Sequence, residues 1–91
     1  MKFAKMYDNK RYGQIVVLRL QNQEGAPAIQ FFCNPTNYGV CSFSIGWDDD
    51  ELAEKKCDTA FNEMTLQEII EIIDGWMKHM EKNHEQSKSM H

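Results

Sequence analysis

Long apolar runs are missing from this chain. The longest, Ile15 to Leu18, is far short of the ~20 residues that a membrane-spanning helix needs. The first eight residues break their apolar positions with Lys2, Lys5 and Asp8, so they lack the continuous apolar segment of a secretory leader. A cytoplasmic protein is therefore expected. The two prolines and five glycines (13, 25, 39, 46 and 75) are scattered, with neither a proline-rich linker nor a glycine-rich phosphate loop, which leaves nucleotide binding without support. The three cysteines are an odd number with no Cys-x-x-Cys pair, so neither a disulfide framework nor a zinc knuckle is indicated.

What is present suffices for one small core. The chain has 91 residues, 42% of them hydrophobic, with ten aromatic side chains, and a chain of this size buries somewhat over ~60% of its unfolded surface. Residues 1–82 are expected to form a single domain. Residues 83–91 are polar and aperiodic and read as a disordered tail.

The pattern predicts an α+β fold: a three- or four-stranded antiparallel β-meander with two C-terminal helices packed on one face. Gln14 to Gln21, Ala28 to Cys33 and Val40 to Trp47 read as strands. A two-residue turn at Glu24-Gly25 pairs positions whose numbers sum to 49, setting Leu20 opposite Ile29 and Leu18 opposite Phe31. The turn-rich loop Asn34 to Gly39 gives a sum of 74, setting Phe31 opposite Phe43, Ile29 opposite Ile45 and Cys33 opposite Cys41. Both registers turn Val16, Leu18, Leu20, Ile29, Phe31, Cys33, Cys41, Phe43, Ile45 and Trp47 inward. Ile15, Val17, Phe32 and Val40 then gather on the other face as an apolar patch, a candidate interface for a partner or a second copy. The first ten residues either add an edge strand through a turn at Asp8-Asn9 or lie across that patch.

Thr65 with Glu68 three residues on is a capping box, opening a helix with an apolar stripe of Leu66, Ile69, Ile70, Ile73, Trp76, Met77 and Met80. Gly75 interrupts it, which suggests that Trp47 or a strand passes close. Asp49 to Met64 predicts a helix with Leu52, Ala53, Cys57, Ala60, Phe61 and Met64 on one half of the wheel and acids at its start; the alternative is a short strand near Thr59 to Asn62.

No catalytic, cofactor-binding or metal-ligating residue is expected. Cys33 and Cys41 face each other across a hairpin but lack two further ligands, so they read as reduced core thiols. Cys57 reads the same way. His79 and His84 are five apart, about 140° around a helix, and cannot share one ion as an i, i+4 pair does; His91 is the last residue. The run Asp48-Asp49-Asp50-Glu51 has carboxylates suited to a hard cation but not the spaced ligands and glycine of an EF-hand. A helix start explains it without a metal.

Charge is the strongest signal. Ten of the fourteen acids lie between Asp48 and Asp74, opposed there by Lys55 and Lys56 alone, a net of eight negatives. Residues 1–21 carry Lys2, Lys5, Lys10, Arg11 and Arg19 against Asp8, a net of four positives. This basic arm, with Tyr7 and Tyr12, could touch phosphates, yet a whole-chain charge of −4 disfavours direct nucleic-acid binding. The expected function is a non-enzymatic module that docks on a basic, even nucleic-acid-binding, surface of another protein. The profile fits an inhibitor or adaptor of the kind phages or mobile elements encode. Its expected contact set is Asp48, Asp49, Asp50, Glu51, Glu54, Asp58, Glu63, Glu71 and Asp74. Two alternatives are a homo-oligomeric structural or accessory protein, and a small enzyme or ligand-binding domain using Cys33, Cys41 and the loop Asn34 to Gly39.

Overall fold

Among the described residues four strands and two helices follow one another: β1 (Ala4–Asn9), β2 (Gly13–Gln21), β3 (Pro27–Cys33), β4 (Cys41–Gly46), α1 (Ala53–Glu63) and α2 (Leu66–Ser89). A computed structural model describes residues 3–35, 39–48 and 51–89, with side chains as far as residue 80. The strands form one antiparallel sheet in the order β1-β2-β3-β4, so the α+β meander expected from the pattern is the fold, in its four-stranded form. The first residues supply the edge strand. Their turn falls at Lys10 to Tyr12 rather than Asp8-Asn9, with the Asn9 carboxamide oxygen accepting from the backbone N–H groups of Arg11 and Tyr12 at 2.9 and 3.0 Å.

The β3–β4 register is the one read from the sequence, with Ile29 opposite Ile45, Phe31 opposite Phe43 and Cys33 opposite Cys41. The β2–β3 register differs by one. Leu20 lies opposite Ala28 and Val17 opposite Phe31, a pairing sum of 48, because the turn has three residues, Gln23 to Gly25, instead of two. Gly25 N–H donates to the Asn22 carbonyl at 2.9 Å, Asn22 N–H donates to Ala26 at 2.9 Å, and Gly25 sits at φ +85°. This is a three-residue hairpin turn closed by a glycine in the left-handed region, where a Cβ would be strained.

A one-residue slip reverses a strand's faces. Ile15 and Val17 therefore lie fully buried in the core, and Val16, Leu18 and Leu20 turn to the opposite face. The core gathers Tyr12, Ile15, Val17, Ile29, Phe31 and Cys33 from the sheet with Cys57, Phe61, Ile69, Ile73 and Met77 from the helices. Phe31 stacks on Phe43 (centroids 4.9 Å, planes 8° apart), and Phe43 stacks on Trp76 (4.7 Å, 12°), joining β3, β4 and α2 through three rings.

α1 starts four residues later than the acidic run predicts. Its first intrahelical bond runs from Lys56 N–H to Leu52, which stands at the N-cap without a side-chain hydrogen bond. Asp48 precedes the helix, Asp49 and Asp50 lie outside the described residues, and Glu54 is the acid in the first turn. Helix formation begins where the buried face begins, at Ala53, followed by Cys57 and Phe61 at a spacing of four. Thr59 to Asn62 are helical, not a strand.

α2 opens with the expected capping box: Glu68 N–H donates to Thr65 Oγ1 at 3.1 Å, and Thr65 N–H donates to Glu68 Oε1 at 3.3 Å. Ile69, Ile73 and Met77 are its buried stripe, while Met80 is exposed. The helix backbone continues to Ser89, through the segment read as a tail. No close approach explains Gly75. A Cβ built there meets no described atom within 4 Å. Gly75→Ala should therefore raise stability by roughly 0.5 to 1 kcal/mol through helix propensity alone, read as a rise in denaturation midpoint; an unchanged or lower midpoint would show that the glycine has a packing role.

Candidate functional site

The basic residues of the first two strands and of the turn between them determine which carboxylates on the helices remain available. Three of them reach across from the sheet to α1 and α2.

Arg19 sits on the inward face of β2, where the register makes it the next inward residue after Val17, and its side chain is only 8% exposed. A cation there needs partners from the helix above. Its Nε donates to Asp58 Oδ1 at 2.8 Å, Nη2 to Glu54 Oε2 at 3.4 Å, and Nη1 to the Leu20 carbonyl at 2.8 Å. Gln21 Nε2 donates to the other Glu54 oxygen at 3.3 Å. These groups, with Phe3 and Leu20, line a hollow of about 310 Å³. Its polar heads are engaged with one another, so nothing in it is left over to fix a ligand.

Lys5 on β1 lies under the C-terminal end of α1, a helix with no basic residue in its last turn. Its ammonium donates to the carbonyls of Phe61, of Met64 at 3.3 Å and of Asn62 at 3.5 Å, and lies 4.9 Å from the Phe61 ring centroid. A cation from another element thus satisfies terminal carbonyls and meets the negative end of the helix dipole.

Asp74 on α2 accepts a hydrogen bond from the Tyr12 hydroxyl and pairs with Arg11 Nη1 at 3.2 Å; the Arg11 guanidinium also lies 5.1 Å from the Tyr12 ring centroid. Burial pushes the Tyr12 phenol up from 10 to about 12, helped by the bond to Asp74 and its charge and opposed by Arg11. A raised folded-state pKa means that the folded protein holds this proton more tightly. The stability it contributes is complete below about pH 10 and is lost as pH rises through about 12. In a phenolate absorbance titration, one tyrosine should ionise late, near pH 12 or on unfolding, and Tyr12→Phe should remove that phase. Simultaneous ionisation of all tyrosines near pH 10 would contradict this environment.

The expected contact set is therefore split. Glu54, Asp58 and Asp74 are tied to Arg19, Arg11 and Tyr12. Asp48, Glu51, Glu63 and Glu71 are exposed; Glu71 accepts only from Gln67 at 3.5 Å, and among the described residues none of the four has an ion pair. Lys55 and Lys56 are exposed on α1, beside a hollow of about 480 Å³ that they line with Leu52, Thr59 and Ala60. The basic arm is not a free patch either, because Lys5 and Arg19 are turned under the helices and Tyr12 is buried. The Arg19 pairing was not legible locally. Its signal was an arginine at an apolar-strand position together with two acids four apart, Glu54 and Asp58, on one helix.

The other sequence candidates also have places. Ile15 and Val17 are buried under the helices, whereas Phe32 is half-buried on the opposite face and Val40 is 76% exposed, so the four do not form one surface. Cys33, Cys41 and Cys57 are free thiols. Burial pushes Cys33 up from 9 to about 11, with its neighbour Cys41 adding to the shift, and burial also raises Cys57. Both shifts disfavour the thiolate that a nucleophile needs. Of the loop Asn34 to Gly39, residues 36–38 lie outside the described set, as do His91 and the side chain of His84. His79 is exposed on α2. Among the described residues no three His, Cys, Asp or Glu side chains converge as a metal site, and no helix is long and apolar enough to cross a membrane.

The architecture defines an open four-stranded antiparallel α+β protein with both helices on one face. Comparison of the chain with protein-family models, with curated proteins and with solved structures finds no match in any of the three.

Proposed function

We propose that the protein is a non-enzymatic binding module that docks on a basic surface of a partner protein through carboxylates of its helical side. It would act as an inhibitor or adaptor of the kind phages and mobile elements carry. The observation that carries this reading is the division of the acids. Arg11 and Arg19 are spent on Asp74, Asp58 and Glu54, leaving Asp48, Glu51, Glu63 and Glu71 exposed with no paired cation among the described residues. Exposed, unpaired carboxylates need little desolvation or rearrangement to meet an incoming arginine or lysine, whereas tied ones must first break an existing bond. Lys55 and Lys56 interrupt the acidic surface on α1 and would give the docking a preferred orientation.

Such a contact is electrostatic at its rim and steered by long-range charge, so it must weaken with salt. Retention of the partner by immobilised protein should fall steeply as ionic strength rises toward about 0.5 M, where the screening length drops to a few ångströms. Retention indifferent to salt would exclude carboxylates as the basis of recognition.

A further inference from the structure

The docking reading leaves the cysteines unused, and two of them are placed as a pair. Cys33 ends β3, Cys41 begins β4, and the register sets them directly opposite each other. Trp47 N–H donates to the Pro27 carbonyl at 3.1 Å, which makes 27 and 47 a hydrogen-bonded pair of the antiparallel ladder. Pairs of that kind recur at every second residue, so 33 and 41 are another, with Cα atoms about 5.5 Å apart. Disulfides join Cα atoms about 4.4 to 6.8 Å apart, so the backbone can bridge this pair where it stands. Directly opposite residues also share a face of the sheet, and both side chains lie on the inward side with Phe31 and Phe43.

We propose that Cys33 and Cys41 form a thiol–disulfide exchange site, at which a small soluble disulfide of the glutathione class converts the two thiols into a cross-strand disulfide.

Their unequal exposure orders the steps. Cys41 is half-buried on an edge strand and its S–H donates to the Gly39 carbonyl at a long 3.7 Å, so its sulfur is the one that solution reaches. Cys33 is 2% exposed. Burial chiefly, then the charge and hydrogen bonding of Cys41, hold the proton on Cys33, which keeps it from reacting first and places the two thiols within each other's influence. Cys41, as its thiolate, attacks one sulfur of the incoming disulfide; that S–S bond breaks, and the departing thiolate takes up a proton. Cys33 then gives its proton to water and attacks the Cys41 sulfur, expelling the second small thiol. The two cysteines lose two electrons and two protons, and the small disulfide becomes two thiols. Ionised Cys33 is scarce near neutral pH, but its target is held across the ladder, and that positioning offsets the scarcity. Cys57 has no such neighbour. It is fully buried on α1, and the ionisable groups around it are Arg19, Asp58 and Glu54 rather than a second thiol.

The bond ties β4, which joins the sheet through β3 alone, to its neighbour and closes 34–40 into a ring. The oxidised chain should therefore withstand more denaturant than the reduced one, because the cross-link restricts the unfolded state. This site is independent of the docking reading, whose carboxylates belong to the helical side, and failure of either leaves the other standing.

The test is to incubate the full reduced chain with millimolar oxidised glutathione under native conditions, alkylate it, and read intact mass and a peptide map. The expected product is two hydrogens lighter than the starting chain, has Cys33 linked to Cys41, and yields Cys57 to alkylation only after denaturant is added. Cys33→Ser should halt with one glutathione on Cys41, and Cys41→Ser should take up none while folded. Cys57→Ala should still form the link, which excludes shuffling through the third cysteine. The wild-type map decides the question even where a variant fails to fold. Glutathione held stably on Cys41 of the wild-type chain, a wild-type chain unreactive until unfolded, or a link that includes Cys57 would overturn the proposal.

Discussion

Phe31→Ala should cost about 3 to 5 kcal/mol of folding free energy, a large share of the 5 to 15 kcal/mol that holds a domain of this kind. Phe31 is fully buried at the middle of β3, and its ring starts the stack that passes through Phe43 to Trp76. Truncation removes the transfer free energy of the ring and leaves a void that the flat neighbouring rings cannot fill by small rotations. It also leaves Phe43 stacked on one side only, so coupling between α2 and the sheet weakens with it. Chemical denaturation with Trp76 and Trp47 as fluorescent reporters measures the loss. Phe31→Leu, which keeps most of the volume, should lose much less. A cost below about 1 kcal/mol for the alanine variant would place the core elsewhere.

Arg19→Ala should cost about 2 to 4 kcal/mol, for a different reason. The guanidinium is nearly buried and has three partners, and removing it leaves the Asp58 and Glu54 carboxylates without a cation above an apolar sheet. Asp58 is 32% exposed and Glu54 61%, so water recovers part of the loss, which puts the expected cost below that of a fully buried pair. The arginine stem also covers apolar surface that alanine would uncover. The pair itself need not be a net source of stability. Replacing Arg19 and Asp58 together with leucines should recover much of what Arg19→Ala loses, because neither charge is then stranded. Equal losses in the single and double variants would show that a stranded Asp58 carboxylate is not what Arg19→Ala costs.

Arg19 also explains why part of this fold was unreadable from the sequence. In Ile15-Val16-Val17-Leu18-Arg19-Leu20 both parities are apolar, so hydrophobicity does not choose a face, and the arginine argues for turning 15, 17 and 19 outward. The chain does the reverse because α1 offers Glu54 and Asp58, a tertiary compensation invisible within the strand. The turn that decides the matter differs from the expected one by a single residue, Gln23, whose inclusion moves every β2 side chain to the other face. On β3 and β4 the loop and the matching apolar residues allowed one pairing, and that register was legible. So was the capping box at Thr65 and Glu68, because both partners lie within one turn of helix. The start of α1 was not. A run of acids suits a helix dipole wherever it stands nearby, and only the buried spacing of Ala53, Cys57 and Phe61 marks where the helix begins.

The polarity of the chain, basic at the start and acidic toward the end, thus has a structural use before any partner is considered. Lys5, Arg11 and Arg19 hold the helices to the sheet by a helix end, by Asp74, and by Asp58 with Glu54. An acid can serve in that internal tie or in docking, and the two sets answer differently to substitution. Reversing Glu54 and Asp58 would disturb Arg19 and confuse recognition with folding.

The most direct test is therefore partner retention per folded molecule in two triple variants measured side by side. In the first, Glu51, Glu63 and Glu71 are changed to lysine; in the second, Glu54 and Asp58 are changed to their amides and Asp74 to asparagine. The first should keep the wild-type denaturation midpoint within about 1 kcal/mol and lose the partner. The second should lose stability yet retain the partner in proportion to the folded fraction. Partner retention unaffected by the first set, or abolished by the second while the protein remains folded, would contradict the assignment of the exposed carboxylates as the docking surface.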